Sequence, residues 1–461
     1  MVLTPIGWLL IPLGIILFIV RPHWLYVLTI FFAPFSATSI INTGGGDSGQ
    51  GFSPFLFFGF LLLLREYAGV AFRMKIRILP ATQRPLNLLY LFTAVCLVSL
   101  IMPLIINGRL DVMSSPGLDY RLVPLEFNRQ ILNHAIRLVF DIALTTVIVY
   151  RNKELKSFYA TLRIYLCSGV FVCLWGLMQF ALYILRIPYP AFIFNNSATP
   201  NAQDYSAAFE SVGIVRMSSV AIEPVFLSRV LVGMLAICIV AVRGRKHIFN
   251  SYTDYIIVLL LFFTILLATS STGYVGVAVL LVMLLFVPSS LGKSRTSSSI
   301  LVFTVVLAVV ISYYSFPSVK YILNSQLLNK NSTGSAIERA IIMYNDLQYF
   351  LMYPILGIGW NCAPTHDVII GMLATCGLVG LSAFLLLIGT ILYKLKQNFY
   401  LQVRQINEDN PSIMMFLCLS VTCAVYVVSG GIEPPDFWVI LALSIAAVGI
   451  GHNLRRNTQV S

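Results

Sequence analysis

Charged side chains are scarce in this sequence: 10% of its 461 residues are Asp, Glu, Lys or Arg, against 58% that are hydrophobic. Soluble domains carry about 25% charged residues, so the composition excludes a soluble globular fold. Cysteines are few and badly placed for cross-linking. Of the eight, Cys96, Cys167, Cys173, Cys238, Cys376, Cys418 and Cys423 sit inside apolar runs and only Cys362 falls in a polar connection, which excludes a disulfide scaffold or a Cys-based zinc site. No basic residue precedes the first apolar run and no small-residue cleavage pattern follows it, so a removable signal peptide is not expected. Internal repeats with a period of roughly 20–50 residues are also missing, and low complexity is confined to "SRTSSS".

What the chain does have is apolar sequence in long runs, with a mean hydropathy of +0.87. A bilayer-spanning helix needs roughly 20 mostly apolar residues, and about twelve or thirteen runs meet that requirement. They lie near 6–20, 24–40, 53–72, 86–106, 131–150, 159–185, 222–242, 253–269, 273–289, 299–315, 366–393, 412–429 and 437–453. The first two are short and form either two spans or one interrupted hairpin. The expected fold is all-α: one polytopic integral membrane domain over 1–461, without a soluble appendage.

The net charge of +12 is spread in a way that argues against nucleic acid as a partner. Lys and Arg gather in alternate short connections: Arg73, Lys75, Arg77 and Arg84; Arg151, Lys153 and Lys156; Arg243, Arg245 and Lys246; Lys293 and Arg295; Lys394, Lys396 and Arg404; Arg455 and Arg456. By the positive-inside rule these face the cytoplasm, as does the C-terminus. The other connections then face outward and hold most of the carboxylates. Two of them, 186–221 and 316–365, are long enough to expect a function. The outward connections contain no H-E-x-x-H and no D-x-D, and Glu433 with Asp436 in "EPPD" is a weak metal signal, so no metal site is expected.

In the second long loop, "GSAIERAIIMYNDLQYFLMYP" has Ser335 and Glu338 at capping-box spacing. A helix over 336–353 is expected, half-buried at the membrane surface along Ile337, Ile341, Tyr344 and Leu347, and ended by Pro354. Arg339 falls in its opening turn, where the helix dipole disfavours a cation by a few tenths to about 1 kcal/mol unless an anion docks on the free N–H groups and the guanidinium. Simple neutralisation by Glu338 is the alternative. Thr365 is a plausible N-cap for the next helix, placing His366 and Asp367 in a first turn that would keep the imidazole neutral and able to accept a proton. The bland alternative is an interfacial His without a partner.

A third stretch, "VRMSSVAIEPVFLSRVL", carries Arg216, Glu223 and Arg229. Arg229 lies about one and a half turns inside the apolar run, where an unpaired charge costs several kcal/mol. Glu223 is a possible partner at an awkward spacing of six. In "NRQILNHAIRLVFD", Arg129, Asn133, Arg137 and Asp141 recur every four residues, on one face of a helix that is expected to look into the bundle. Arg137 and Asp141 read equally as a structural ion pair. A cationic outer cavity with no evident metal suggests an anionic ligand held by Arg.

Three stretches together resemble the O-antigen polymerase and O-antigen ligase superfamily of bacterial membrane glycosyltransferases: "RMSSVAIEPVFLS" at 216–228, "ATSSTGYVGVAV" at 268–279, and "ERAIIMYNDLQYFLMYPILGIGWNCAPTHDVIIGMLATCGLVG" at 338–380. The resemblance implies a GT-C-like fold in the inner membrane. Its donor would be a glycan on undecaprenyl diphosphate at the periplasmic face, with neither metal nor nucleotide-sugar cofactor, and with a flippase and a chain-length regulator as partners besides the bilayer. Carried over by residue, Arg216 and Arg339 bind the diphosphate, His366 contacts or deprotonates the acceptor hydroxyl, and Glu223 organises the arginines. Arg229, Arg137, Asp141 and Asp367 are further candidates for substrate binding. "SSVAIEPVF" looks more like polymerases of O-antigen or exopolysaccharide repeats than like ligases acting on lipid A core. A flippase for lipid-linked sugar is the reading from another class.

Overall fold

Three helix starts follow capping signals in the sequence. In the computed structural model, which describes residues 1–44, 50–71, 79–113, 121–198, 208–209, 214–244, 247–286, 307, 309, 311, 313–324, 334–403 and 411–460, the Thr4 side chain accepts from Gly7 N at 3.1 Å and opens α1 (Pro5–Val20), with Pro at its first position. Asn128 caps the helix Arg129–Arg151 through Ile131 N, and Asn250 caps the helix Ser251–Leu267 through Thr253 N. In chain order the helices are α1, α2 (His23–Phe31), α3 (Pro54–Ala71), α4 (Pro80–Ser99), α5 (Met102–Ile106), α6 (Arg129–Arg151), α7 (Leu155–Ile184) and α8 (Ala191–Phe194). There follow α9 (Pro224–Arg243), α10 (Ser251–Leu267), α11 (Ser271–Phe286), α12 (Pro317–Leu323), α13 (Gly334–Met352), α14 (Val368–Val403), α15 (Ser412–Val427) and α16 (Pro435–Val460).

Among the described residues, six helical stretches are long and apolar enough to cross a membrane, and four more apolar helices are shorter. The expected run near 24–40 is helical only over nine residues. The run near 299–315 lies largely outside the described residues, as do the basic-loop positions Arg73, Lys75, Arg77, Arg245, Lys246, Lys293, Arg295 and Arg404. The chain is helical on the membrane scale but not purely α. Short antiparallel pairings join β1 (Val2–Leu3), β2 (Ile41–Thr43) and β3 (Gln50–Phe52), then β4 (Asp111–Met113) with β5 (Leu122–Pro124), and β6 (Ala208–Phe209) with β7 (Ile214–Val215).

α9 and residues 437–450 of α16 are buried almost throughout, which places them at the centre of the bundle. In lipid no hydrophobic force separates helix from helix, so close packing must hold them. α10 shows the outer case, with Ile256, Leu259 and Phe263 exposed on one side and Ile257, Leu261 and Ile265 buried on the other.

α14 is broken. Gly377 has φ 65° and ψ −167°, and such an interruption frees carbonyl and N–H groups that need partners at membrane depth. Residues 354–360 supply them. Ile358 N donates to Ala374 O and Gly359 N to Thr375 O, both at 2.9 Å, while Leu378 N and Val379 N donate to Pro354 O and Ile355 O at 2.9 and 3.3 Å. A Cβ at Gly377 would stand 2.2 Å from Ile355 O, and one at Gly357 would stand 2.4 Å from the Thr375 backbone. The "PILGIGW" loop therefore completes the broken turn, and residues 361–367 start from a fixed base.

Candidate functional site

α13 packs against α14, and its inward face is not the one the apolar stripe suggests. Ile337, Tyr344 and Leu347 are 47%, 64% and 44% exposed, whereas Ile342, Asp346 and Tyr349 are 1%, 2% and 5% exposed. The half-buried Arg339 lies three residues before Ile342, on this inner side. The helix begins at Gly334, so Ser335 is inside it and Arg339 stands beyond the opening turn, where the dipole is already weak. Its environment is set instead by side chains. Burial lowers the guanidinium's affinity for its proton, Glu223 restores part of it, Arg229 lowers it again, and Glu338 opposes.

The cap of α14 is Asp367, not Thr365: Asp367 Oδ1 accepts from Ile369 N at 2.7 Å and Ile370 N at 2.8 Å. His366 consequently precedes the helix instead of sitting in its first turn. It is still held neutral, for a different reason. Burial, then the positive charges of Arg339 and Arg229, push its pKa down to about 4. Its Nε2 lies 3.6 Å from Glu338 Oε1, a contact that acts in the opposite sense. Asp346 also reaches this corner. Burial and the neighbouring Asp367 carboxylate raise it to about 8, and its Oδ1 is buried with no hydrogen-bond partner.

Arg216 belongs to a non-helical buried segment, residues 216–223, whose backbone is held by α7. Gln179 Oε1 accepts from Ser218 N at 3.2 Å and Ser219 N at 2.8 Å, and Ser219 Oγ donates to Val172 O at 2.6 Å. Burial lowers the Arg216 pKa, Glu223 raises it, and Arg339 lowers it, with Tyr274 of α11 also beside it. Glu223 occupies the N-cap of α9 but makes no capping hydrogen bond with its side chain; it stands between Arg216 and Arg339. The three stretches singled out in the sequence thus meet at one end of the bundle.

Arg229 is 5% exposed and sandwiched between Phe226 and Tyr426, with its guanidinium carbon 4.5 and 4.9 Å from the ring centres. The partner sought in Glu223 comes from later in the chain: Asp436 faces Arg229 and accepts from Tyr426 Oη at 3.1 Å. Gly430, with φ +116°, leaves the space that the Arg229 guanidinium and the Thr365 carbonyl occupy. Arg137 and Asp141 do form an ion pair, Nε to Oδ2 at 2.8 Å. Only that end of the polar row is buried; Arg129 and Asn133 are exposed.

Glu433 joins the two groups. It lines a small cavity of about 20 Å³ with Asn361, Thr365, Asp367 and Gly431, is open to solvent there, and lies within electrostatic reach of Arg137 and Arg229. The sequence reading missed Glu338 as the neighbour of His366, Tyr426 and Asp436 as neighbours of Arg229, and Asp346. The signal was available: each is an ionisable or hydroxyl-bearing residue in or beside an apolar run. No protein-family model matches the chain, and no curated protein sequence matches it.

Proposed function

We propose that this chain is a glycosyltransferase of polysaccharide assembly, a polymerase of undecaprenyl-diphosphate-linked repeat units of O-antigen or exopolysaccharide. In this reading it is a GT-C-like enzyme of the bacterial inner membrane with about twelve or thirteen spans, a cytoplasmic C-terminus and a periplasmic site. One observation carries the proposal: a neutral imidazole, His366, in the same half-buried corner as the guanidinium groups of Arg216, Arg229 and Arg339. Fixed cations suit a leaving diphosphate, whose charge grows in the transition state and which such groups stabilise without reorganising.

In the reaction, a sugar hydroxyl of the acceptor attacks the anomeric carbon of the donor glycan. The new C–O bond forms as the bond to the diphosphate breaks, the electron pair leaves with the diphosphate, and the hydroxyl proton passes to His366. Arg216 and Arg339 hold the diphosphate, and Glu223 between them keeps both from dispersing. Glu338, facing Nε2 at 3.6 Å, favours the tautomer protonated there, which leaves Nδ1 as the base. Donor binding tunes this base as well: an anion at the arginines offsets the charges that depress His366, so its basicity rises when the substrate is in place.

The test uses purified protein and lipid-linked repeat, with and without lipid A core. Ladders on the carrier are expected, and they disappear in His366→Ala while the protein still inserts. Transfer to lipid A alone would instead identify the ligase. Undiminished polymer in His366→Ala, or cells that only accumulate cytoplasm-facing lipid-linked repeats, would overturn the proposal, the second outcome in favour of a flippase.

A further inference from the structure

Beside the candidate site lies a second, larger and open cavity of about 220 Å³, bordered by β4, β5, the first turns of α6 and residues 361–364. On the same measure a single water needs only ~10–15 Å³, so this space admits a ring-sized molecule. Its polar lining is Glu126, Asn128, Gln130, His134 and Asn361, and among the described residues no Lys or Arg lines it. A cavity without cations is a poor site for a diphosphate. Amides, an imidazole and one carboxylate offer donors and acceptors side by side, which is what a hydroxyl-rich ring requires, because each hydroxyl both donates and accepts.

The fixed hydrogen bonds sort these groups further. Asn361 Nδ2 and His134 Nδ1 are 2.7 Å apart; since the amide nitrogen only donates, Nδ1 accepts and the His134 proton is on Nε2. Asn361 keeps its amide oxygen, and Asn128, whose Oδ1 caps α6, keeps its NH₂. The walls are braced. Gly108 N donates to Leu125 O and Leu125 N to Leu110 O, each at 2.8 Å, and Tyr349 Oη of the Arg339 helix donates to Asp111 O at 3.4 Å. Asn361 lines this cavity and also the smaller one that runs past Thr365 and Asp367. His366 follows two residues after the lining Pro364 and is itself depressed by the charges of Arg339 and Arg229.

We infer that this cavity is the subsite for the acceptor, taking the neutral terminal sugar whose hydroxyl attacks. The inference rests on the glycosyl-transfer reading. An attacking hydroxyl has to reach the base, and Asn361, which lines both cavities, and Pro364, two residues before His366, join this cavity to the segment that carries it.

The test combines two rim variants, Gln130→Ala and Gln130→Trp, at an exposed residue of the first turn of α6, with two measurements on the full-length protein. One is the half-saturating concentration of lipid-linked repeat in polymerisation. The other is thermal stabilisation by undecaprenyl diphosphate alone, which reports the donor site. Gln130→Ala should raise the half-saturating concentration about three- to tenfold, the worth of one hydrogen bond, and Gln130→Trp at least as much, with stabilisation by the diphosphate unchanged in both. Unchanged half-saturation in both variants, with wild-type stabilisation, would refute the subsite and leave the glycosyl-transfer reading intact. Absence of both transfer and stabilisation in the wild-type protein would overturn that reading, and the subsite with it.

Discussion

Replacing Gly377 by Ala tests how the loop before His366 is held. At φ 65° and ψ −167° the residue lies in a region of backbone space that is essentially restricted to glycine, and a side chain there costs about 1–3 kcal/mol. The added methyl would meet the Ile355 carbonyl oxygen at 2.2 Å and its carbon at 2.3 Å, so loop and helix have to separate. Four hydrogen bonds tie them: Ile358 to Ala374, Gly359 to Thr375, Leu378 to Pro354 and Val379 to Ile355. At about 0.5–1.5 kcal/mol each, their complete loss would cost about 2–6 kcal/mol more. The expected destabilisation is therefore at least about 3 kcal/mol, a large share of the roughly 5–15 kcal/mol that holds a folded protein together. Gly389, in the same helix, is the control, since a Cβ there would touch nothing within 4 Å. Gly389→Ala should be neutral or stabilise by up to about 1 kcal/mol through helix propensity. Unfolding in mixed micelles, followed by Trp fluorescence, measures both. Trp360 reports directly, because it is 6% exposed and packs edge-on against Phe92 at 6.0 Å. Equal stability of Gly377→Ala and Gly389→Ala would refute the account of the broken helix.

Three further outcomes are expected. The acid limb of kcat/KM should fall near pH 4, because His366 is lowered to about 4 in the free protein, and the acid limb of kcat should lie higher, because the bound diphosphate offsets the arginines; a kcat/KM limb near the ordinary value of about 6.5 would contradict the burial argument. Asp346 is raised to about 8, so the folded state holds a proton that the unfolded state releases above its pKa of about 3.9; its stabilising contribution is full below that value and lost as pH rises through about 8. Asp346→Asn should match the wild type only below about pH 4 and exceed it in unfolding midpoint by a growing margin as pH rises to about 8, and parallel midpoints would refute this. Arg229→Met strands the buried Asp436 and should cost about 3–5 kcal/mol; adding Asp436→Asn should restore much of that loss, and a strictly additive double variant would show that the two side chains are not coupled.

How far the sequence could be read follows from what a membrane does to the usual signals. Apolar length located six helices long and apolar enough to cross a membrane among the described residues, and the spacing of four in Arg137 and Asp141 foretold their ion pair. Apolar periodicity, however, pointed α13 the wrong way. In water an apolar stripe turns inward; beside lipid it has no reason to, and the residues that must leave the lipid are the ionisable ones. Arg339 and Asp346, seven apart and so near one face, predict the observed orientation, and Ile337 and Tyr344 are left outside. α6 obeys the same rule: Asp141 is buried while Ile136 and Val139 are 60% and 50% exposed. The break at Gly377 escaped notice because "TCGLVG" carries no Pro and suits a packed helix as well as an interrupted one; its cause lies some twenty residues upstream, in the loop glycines that come close enough to take over its hydrogen bonds. His366 was found by its company in sequence, but what keeps it neutral is the convergence of Arg229 and Arg339 from separate helices, and that is a property of the folded bundle, to which local spacing gives no access.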